Sequence, residues 1–274
     1  MNPMIRKELL QRMRERRSWV LPSLYLLVLG AAVVLAYYLS TEGMPFAVDT
    51  RQGASIGVIV FLTVAYAQLT LLLLLAPVFS AGTLTIEKEQ RTLAMLLTSL
   101  LSAGEIWFGK FISAVLFLVL LLVSSLPVLA LAFSLGGVGP EDLLRATLMT
   151  LLVLACICAV GLYFSSTFRR SVHSTAVTYA AVIVLSGLTE IVFSMLEAHW
   201  QAKVGRLSQT SLTPMPRYYQ TPLYLNPYYA LTSSLMRTGQ RFPDWAICAL
   251  VLAALGLLAT FLSLRNIRRR GEAG

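Results

Sequence analysis

Six long apolar runs, separated by shorter polar segments, dominate the chain and predict its structural elements. Each run has about twenty residues or more, which is enough for an α-helix to cross the ~30 Å hydrocarbon core of a bilayer. The pattern therefore predicts an all-α integral membrane fold with six transmembrane helices. These spans cover about residues 19–40, 55–79, 106–135, 143–168, 174–196 and 245–264.

Three polar segments lie outside these runs. Residues 4–18 place apolar side chains at helical spacing between arginines, which is typical of an amphipathic helix lying on the membrane surface. Residues 81–105 join the second and third spans and are predicted to form a charged helical hairpin in water or at the membrane interface. Residues 197–244 are rich in proline and tyrosine, and this composition predicts a folded cap on the outer side or re-entrant elements at the interface.

Composition agrees with a membrane protein. The chain has 274 residues, of which 57% are hydrophobic and 13% are charged, and its mean hydropathy is +0.73. A soluble domain carries about a quarter charged residues, so no soluble domain of substantial size is expected. We interpret residues 1–274 as one transmembrane domain.

The net charge of +9 is concentrated in clusters at alternate membrane crossings. This distribution follows the positive-inside bias and predicts that both termini are cytoplasmic. Membrane lipids, and not nucleic acid, are the expected partners of these charges. The clusters are Arg6, Lys7, Arg12, Arg14, Arg16 and Arg17, then Arg169 and Arg170, then Arg265, Arg268, Arg269 and Arg270. The predicted interfacial anchors are Arg12, Arg16, Arg17, Trp19 and Lys110.

Residues 104–110, GEIWFGK, match the first seven positions of a phosphate-binding loop. The next position requires Ser or Thr to hold Mg²⁺, and Phe111 stands there. The glycines also open a membrane helix, whereas a phosphate-binding loop joins a buried strand to a helix. We therefore predict that the chain has no nucleotide site of its own and is not itself an enzyme.

The cysteines and histidines do not predict a metal site. Cys156, Cys158 and Cys248 all fall in predicted spans, and a Cys-x-Cys pair on a helix directs its thiols to different sides. They are interpreted as small buried side chains. His173 and His199 are the two histidines of the sequence. We expect no metal, no catalytic residue and no cofactor on this chain.

Glu190 lies in the outer part of the fifth predicted span. A carboxylate at membrane depth costs roughly 2.5–3.5 kcal/mol, so its side chain is expected to face protein or water. Two interpretations stay open. Glu190 lines a translocation path or binds a cation there, or it is a near-interface residue bonded to a neighbouring Ser or Thr.

The charged segment 81–105 carries the main functional hypothesis. Its charges alternate in sign, at Glu87, Lys88, Glu89 and Arg91, and several leucines give the helix an apolar side. On composition alone, this segment is either a solvated loop or a docking element for a soluble partner.

The string IEKEQRTLAMLLTSLLSAGEIWFGK resembles the first cytoplasmic loop of the exporter (type-2 permease) family of ABC transporter permeases. Arg91 and Leu100 stand where that family commonly has glycine and proline. The basic N-terminal segment resembles the family's elbow helix, and the six spans and Asn226-Pro227 also fit. The matching loop positions are Glu87, Glu89, Thr92, Leu93, Leu96, Leu97, Ser102, Glu105, Ile106, Gly109 and Lys110.

The resemblance implies a permease subunit of an ABC exporter in the plasma membrane, which in a bacterium is the inner membrane. It also implies a second permease copy or paralogue, and separate soluble ATPase subunits that bind ATP and Mg²⁺. A non-transporting anchor or assembly subunit and a membrane-embedded enzyme remain as alternatives. The implied ATPase-coupling residues are Glu87, Lys88, Glu89, Arg91, Thr92 and Glu105.

Overall fold

The computed structural model of the protein describes residues 17–41, 50–90, 103–134, 136, 138–205, 216–235 and 243–271. These residues form helices and short turns and contain no strand, which confirms the predicted all-α class. Most of the predicted elbow helix 4–18 lies outside the described residues. So do residues 91–102 of the charged segment and two stretches of the predicted cap, 206–215 and 236–242.

The described part of the chain contains nine α-helices. A π-helical turn, Val184–Leu188, joins the sixth helix to the seventh, and a 3₁₀ helix, Arg217–Leu225, precedes the eighth. The nine helices are α1 (Arg17–Thr41), α2 (Thr50–Ser80), α3 (Thr83–Glu89), α4 (Ala103–Ser134), α5 (Pro140–Thr167), α6 (Ser171–Ile183), α7 (Thr189–Gly205), α8 (Pro227–Leu235) and α9 (Asp244–Gly271).

Six helical segments of the described chain are long and apolar enough to cross a bilayer. They are Val20–Thr41, Ile56–Glu89, Gly104–Leu131, Pro140–Thr167, Ser171–Lys203 and Asp244–Arg269. The second segment combines α2 with the short helix α3. Because α2 alone has 31 residues, or roughly 46 Å at 1.5 Å per residue, it spans the hydrocarbon by itself. Helix α3 therefore adds length that crossing the hydrocarbon does not require.

Helix α5 is the centre of the bundle and packs against α2, α3, α4, α6, α8 and α9. Small buried side chains allow these close approaches. A Cβ on Gly161 would lie 2.1 Å from Ser80 Oγ, so only glycine fits where α5 crosses the end of α2. Cys156 of α5 packs beside Gly256 of α9. The three cysteines of the chain are buried and form no disulfide.

The start of α5 is fixed by local sequence. Pro140 occupies the first helical turn, where its missing N–H is no loss. The Asp142 carboxylate accepts a hydrogen bond from the Gly139 N–H at 3.0 Å. Just before this turn, Gly136 has a φ of 92°, and its carbonyl oxygen lies 1.9 Å from where a Cβ on Gly57 would stand. The turn between α4 and α5 therefore lies directly on α2.

Candidate functional site

The candidate site is the end of the bundle at which helix α3 meets the ends of four spans. We call this region the α3 junction, and define it as residues 81–90, Lys110, residues 165–168 and Ser171. Lys110 belongs to α4, residues 165–168 end α5, and Ser171 begins α6. The C-terminal end of α9 packs beside them.

An apolar cluster forms the base of the α3 junction. Its members are buried, and they come from α3, α4, α5 and α9, so this cluster ties the short helix to three spans. Burial of several large side chains makes the base a packed core and not a loose loop. The cluster contains Leu84, Ile106, Trp107, Ala159, Leu162, Ala259 and Ile267.

Glu87 of α3 forms an ion pair with Lys110 of α4. Lys110 Nζ lies 2.6 Å from Glu87 Oε1, and it also donates to the Thr83 carbonyl oxygen at 3.2 Å. The Lys110 side chain is only 3% exposed and that of Glu87 is 19% exposed. The sequence predicts Lys110 at the lipid interface and Glu87 on the partner-facing side. The structure places both groups inside the protein, on each other.

Lys88 of α3 caps the C-terminal end of α5. Its ammonium group donates to the Ser165 carbonyl oxygen, to the Ser166 carbonyl oxygen at 2.7 Å and to the Phe168 carbonyl oxygen at 2.9 Å. The last carbonyls of a helix have no partners within the helix, and they carry the negative end of its dipole. Lys88 therefore supplies both the missing donors and a favourable charge.

Ser165 of α5 in turn caps the first turn of α3. Its Oγ accepts hydrogen bonds from the Leu84 N–H at 3.0 Å and the Thr85 N–H at 3.1 Å. These are backbone donors in the first turn of α3, which have no acceptor within that helix. Each of the two helices thus supplies hydrogen-bond partners to unpaired backbone groups at the end of the other. Helix α3 is therefore held to α5 through backbone groups as well as through the charge of Lys88.

Glu89 caps the N-terminal end of α6. Its Oε1 accepts from the Ser171 N–H at 2.6 Å and from Ser171 Oγ at 3.0 Å. A carboxylate is favourable at a helix N-terminus because the first N–H groups and the positive end of the dipole lie there. Glu89 therefore connects α3 to the fifth span.

Three consecutive charged residues of α3 thus contact three different spans: Glu87 contacts α4, Lys88 contacts α5 and Glu89 contacts α6. Nothing in the sequence predicts the contacts of Lys88 and Glu89, because the serines involved lie about eighty residues away and carry no charge. The remaining exposed surface of α3 includes Ile86, which is 46% exposed, and Gln90.

Of the other residues predicted for coupling and anchoring, three belong to the described chain and four lie outside it. Glu105 is exposed in the first turn of α4. Arg17 and Trp19 belong to the first turn of α1. Arg12, Arg16, Arg91 and Thr92 lie outside the described residues.

Away from the α3 junction, Asn226 forms hydrogen bonds with three groups. Its Nδ2 donates to the Ser186 carbonyl oxygen of the π turn at 3.1 Å and to Glu190 Oε2 at 3.2 Å. Its Oδ1 accepts from the Tyr228 N–H at 2.8 Å, which caps the start of α8. The protein partner of the Glu190 carboxylate is therefore an asparagine amide, and the Glu190 side chain is also exposed at the surface of the chain.

Helix α8 packs against α5 and α9 as part of the bundle. Its buried residues include Ala230, Leu231 and Ser233. Two hydroxyl pairs fasten it to α2. Tyr66 bonds Thr232, and Thr70 Oγ1 lies 2.9 Å from the Tyr228 hydroxyl. Asn226 therefore connects helix α8 to the widened turn of the fifth span.

Replacing Asn226 with Asp is expected to destabilise the protein more than replacing it with Ser. Both variants keep an oxygen that can cap α8, but Asp turns the donor into a carboxylate that faces Glu190 Oε2 and the Ser186 carbonyl oxygen. We expect a loss of about 3 kcal/mol for Asn226→Asp and about 1 kcal/mol for Asn226→Ser. Thermal unfolding of the detergent-solubilised protein measures both. Equal losses would show that the amide donor contributes nothing.

Comparison with known families identifies the chain. The family model described as "ABC-2 family transporter protein" matches residues 3–265, which is nearly the whole sequence. No curated protein matches the chain significantly. The match confirms the resemblance drawn from the charged segment between the second and third spans. The chain, a multi-pass membrane protein with six candidate spans, therefore belongs to the ABC-2 transporter family.

Proposed function

We propose that this protein is the permease subunit of an ABC exporter, which moves its substrate outward with ATP hydrolysed by separate soluble subunits. Membership of the ABC-2 family supports the transport role in general. The observation that carries the finer proposal is the α3 junction. There, one short helix is fastened through three consecutive charges to three spans. Such a helix is suited to transmit a movement from outside the membrane into the bundle.

In this proposal the soluble ATPase docks on the exposed face of α3, which includes Ile86 and Gln90, and on the segment that follows, with Arg91 and Thr92. Glu87, Lys88 and Glu89 then act within the chain. Through their contacts, α4, α5 and α6 move together with α3 when the ATPase changes conformation. Coupling requires that the ATPase contact α3 differently with and without ATP, because a ligand shifts an equilibrium only through such a difference.

The α3 junction is placed on the cytoplasmic side. Exposed arginines surround it, at positions 169 and 170 after α5 and positions 265, 268 and 269 on α9. Lys and Arg are enriched on the cytoplasmic side of membrane proteins. This orientation places both termini in the cytoplasm of a cell whose plasma membrane holds the protein, and it makes the junction accessible to an ATPase.

A second permease copy or paralogue is placed against the fifth span. In Ser171–Lys203, 11% of the most apolar window is buried, which is the smallest share among the six candidate spans. The same span exposes Glu190, whose carboxylate has the Asn226 amide as a partner and still needs protein or water for its exposed part, because a carboxylate at membrane depth is costly. A translocation path between two permeases, with Glu190 on its wall, satisfies this requirement.

Replacing Ile86 with Glu tests the proposal directly. We expect the variant to lose at least about tenfold in recovery of the copurifying ATPase, because it places a charge in the apolar centre of the docking face. Ile86→Leu is the matched control and should bind as the natural protein does. Affinity purification of the tagged permease from its host, followed by assay of ATP hydrolysis in the eluate, gives the readout.

Two outcomes would contradict the proposal. Absence of any ATP-hydrolysing subunit in the eluate of the natural protein would exclude an ABC permease of this kind. Recovery of an ATPase whose hydrolysis rate is unaffected by Ile86→Glu would instead support the non-transporting anchor or assembly subunit.

A further inference from the structure

We propose that the C-terminal end of α9 carries a binding site for the headgroup of an anionic phospholipid. A cavity of about 300 Å³ lies there, lined by Phe261, Leu264, Arg265, Arg268 and Arg269. None of these side chains belongs to the α3 junction or to the group around Asn226. The lining of this open cavity is mostly apolar and three exposed arginines border it, so apolar surface lies beside three positive charges, as an anionic lipid requires.

The order of the lining residues along α9 matches the order of groups in a phospholipid. The positions 261, 264, 265 and 268 recur at helical spacing, so they share one face of α9. Phe261 and Leu264 come first and lie nearer the hydrocarbon, and the arginines follow toward water. Phe261 is 66% exposed, which leaves its ring open to an acyl chain.

The arginines of this face are not neutralised by carboxylates within the described chain. Its ion pairs are Glu87–Lys110 and Glu141–Arg145, and neither includes a residue of α9. Three guanidinium groups within about two helical turns repel one another. A phosphate relieves this repulsion, and the planar guanidinium can bind it through two parallel hydrogen bonds. Basic groups at the end of a membrane helix, next to apolar surface, suit such lipids.

The opposite face of the same helix end is attached to the α3 junction. Asn266 Nδ2 donates to Thr167 Oγ1 at 3.1 Å, and the buried Ile267 belongs to the apolar base beneath α3. Thr167 ends α5, beside the carbonyls that Lys88 caps. A lipid held by the arginines therefore steadies the end of α9, and through it the end of α5.

The test compares two double variants of the full-length permease, purified without ATPase. Arg268→Gln/Arg269→Gln removes two charges from the cavity. Arg169→Gln/Arg170→Gln removes two exposed arginines at the same end of the bundle, outside the cavity. Native mass spectrometry during titration with phosphatidylglycerol or phosphatidylcholine gives the lipid affinities. We expect the cavity variant to bind phosphatidylglycerol roughly 30-fold more weakly, since each arginine that contacts the bound headgroup contributes about fivefold. The control should change by less than about threefold.

Three results would overturn the proposal. Equal losses in the two variants would show a diffuse attraction to basic residues. Equal affinity of the natural protein for the two lipids would show that the cavity does not recognise charge. An unchanged affinity in the cavity variant would show that these arginines do not hold the headgroup. Because no ATPase is present, each result is independent of the transport proposal.

Discussion

Replacing Lys110 with Met lowers the free energy of unfolding by about 3–5 kcal/mol, because it leaves the Glu87 carboxylate in a buried site without its counter-charge. The Lys110 side chain is 3% exposed, and its ammonium group also holds the Thr83 carbonyl oxygen. Taking one ion of such a pair away removes the attraction but not the desolvation of the ion that stays. This is one of the two largest effects that we expect from a single substitution.

A double-mutant cycle separates the pair from general effects of substitution. Adding Glu87→Gln to Lys110→Met should restore part of the lost stability, because the unpaired charge is then gone. The pair Glu141–Arg145 is the matched control, since it joins the same two charge types at the surface, with side chains 57% and 39% exposed. Its coupling energy should be about 0.3–0.5 kcal/mol, as for exposed pairs one helical turn apart. Chemical denaturation in mixed detergent micelles measures both cycles. A coupling energy for Glu87–Lys110 as small as that of the control would contradict the buried-pair account.

Replacing Lys88 with Met is expected to destabilise the protein by about 3 kcal/mol, since the carbonyl oxygens at the end of α5 lose a charged donor. The ammonium group contacts the carbonyl oxygens of Ser165, Ser166 and Phe168. In the proposed mechanism the same change also uncouples α5 from α3. ATP hydrolysis by the assembled complex should then persist while transport in vesicles falls at least about tenfold.

Lys203→Met is the control for the Lys88 variant, because it removes the same side chain from an exposed position at the end of α7. It should leave stability within about 0.5 kcal/mol of the natural value. Lys88→Arg gives a finer test. A planar guanidinium presents its donors in a fixed fork, so it matches three converging carbonyls less well than an ammonium group. Full stability in Lys88→Met would show that water alone satisfies the end of α5.

The bundle is the part of the structure that the sequence predicted best. Span length and hydropathy are properties of contiguous residues, so the six candidate spans and the all-α class follow from the order of residues alone. The short helix that carries Glu87, Lys88 and Glu89 falls within the predicted charged segment for the same reason. Its role in binding an ATPase stays a prediction.

The sequence does not predict which residues these charged side chains contact. Lys88 and Glu89 reach residues about eighty positions later in the chain, and uncharged Ser residues give no signal of complementarity. Lys110 begins a membrane span and thus resembles an interfacial lysine. Only the packing of α3 against α4 shows that it faces inward. The bond between Asn226 and Glu190 depends equally on tertiary structure.

The π turn at Val184–Leu188 sets which side chain of the fifth span meets Asn226. A turn of this kind accommodates about one residue more than an α-helical turn, and it therefore shifts the angular phase of every position that follows. Were this stretch wound uniformly, Thr189 would take the direction that Glu190 has now. The π turn thus directs the Glu190 carboxylate, and not the Thr189 hydroxyl group, toward this side of the helix, although the amino-acid sequence is the same.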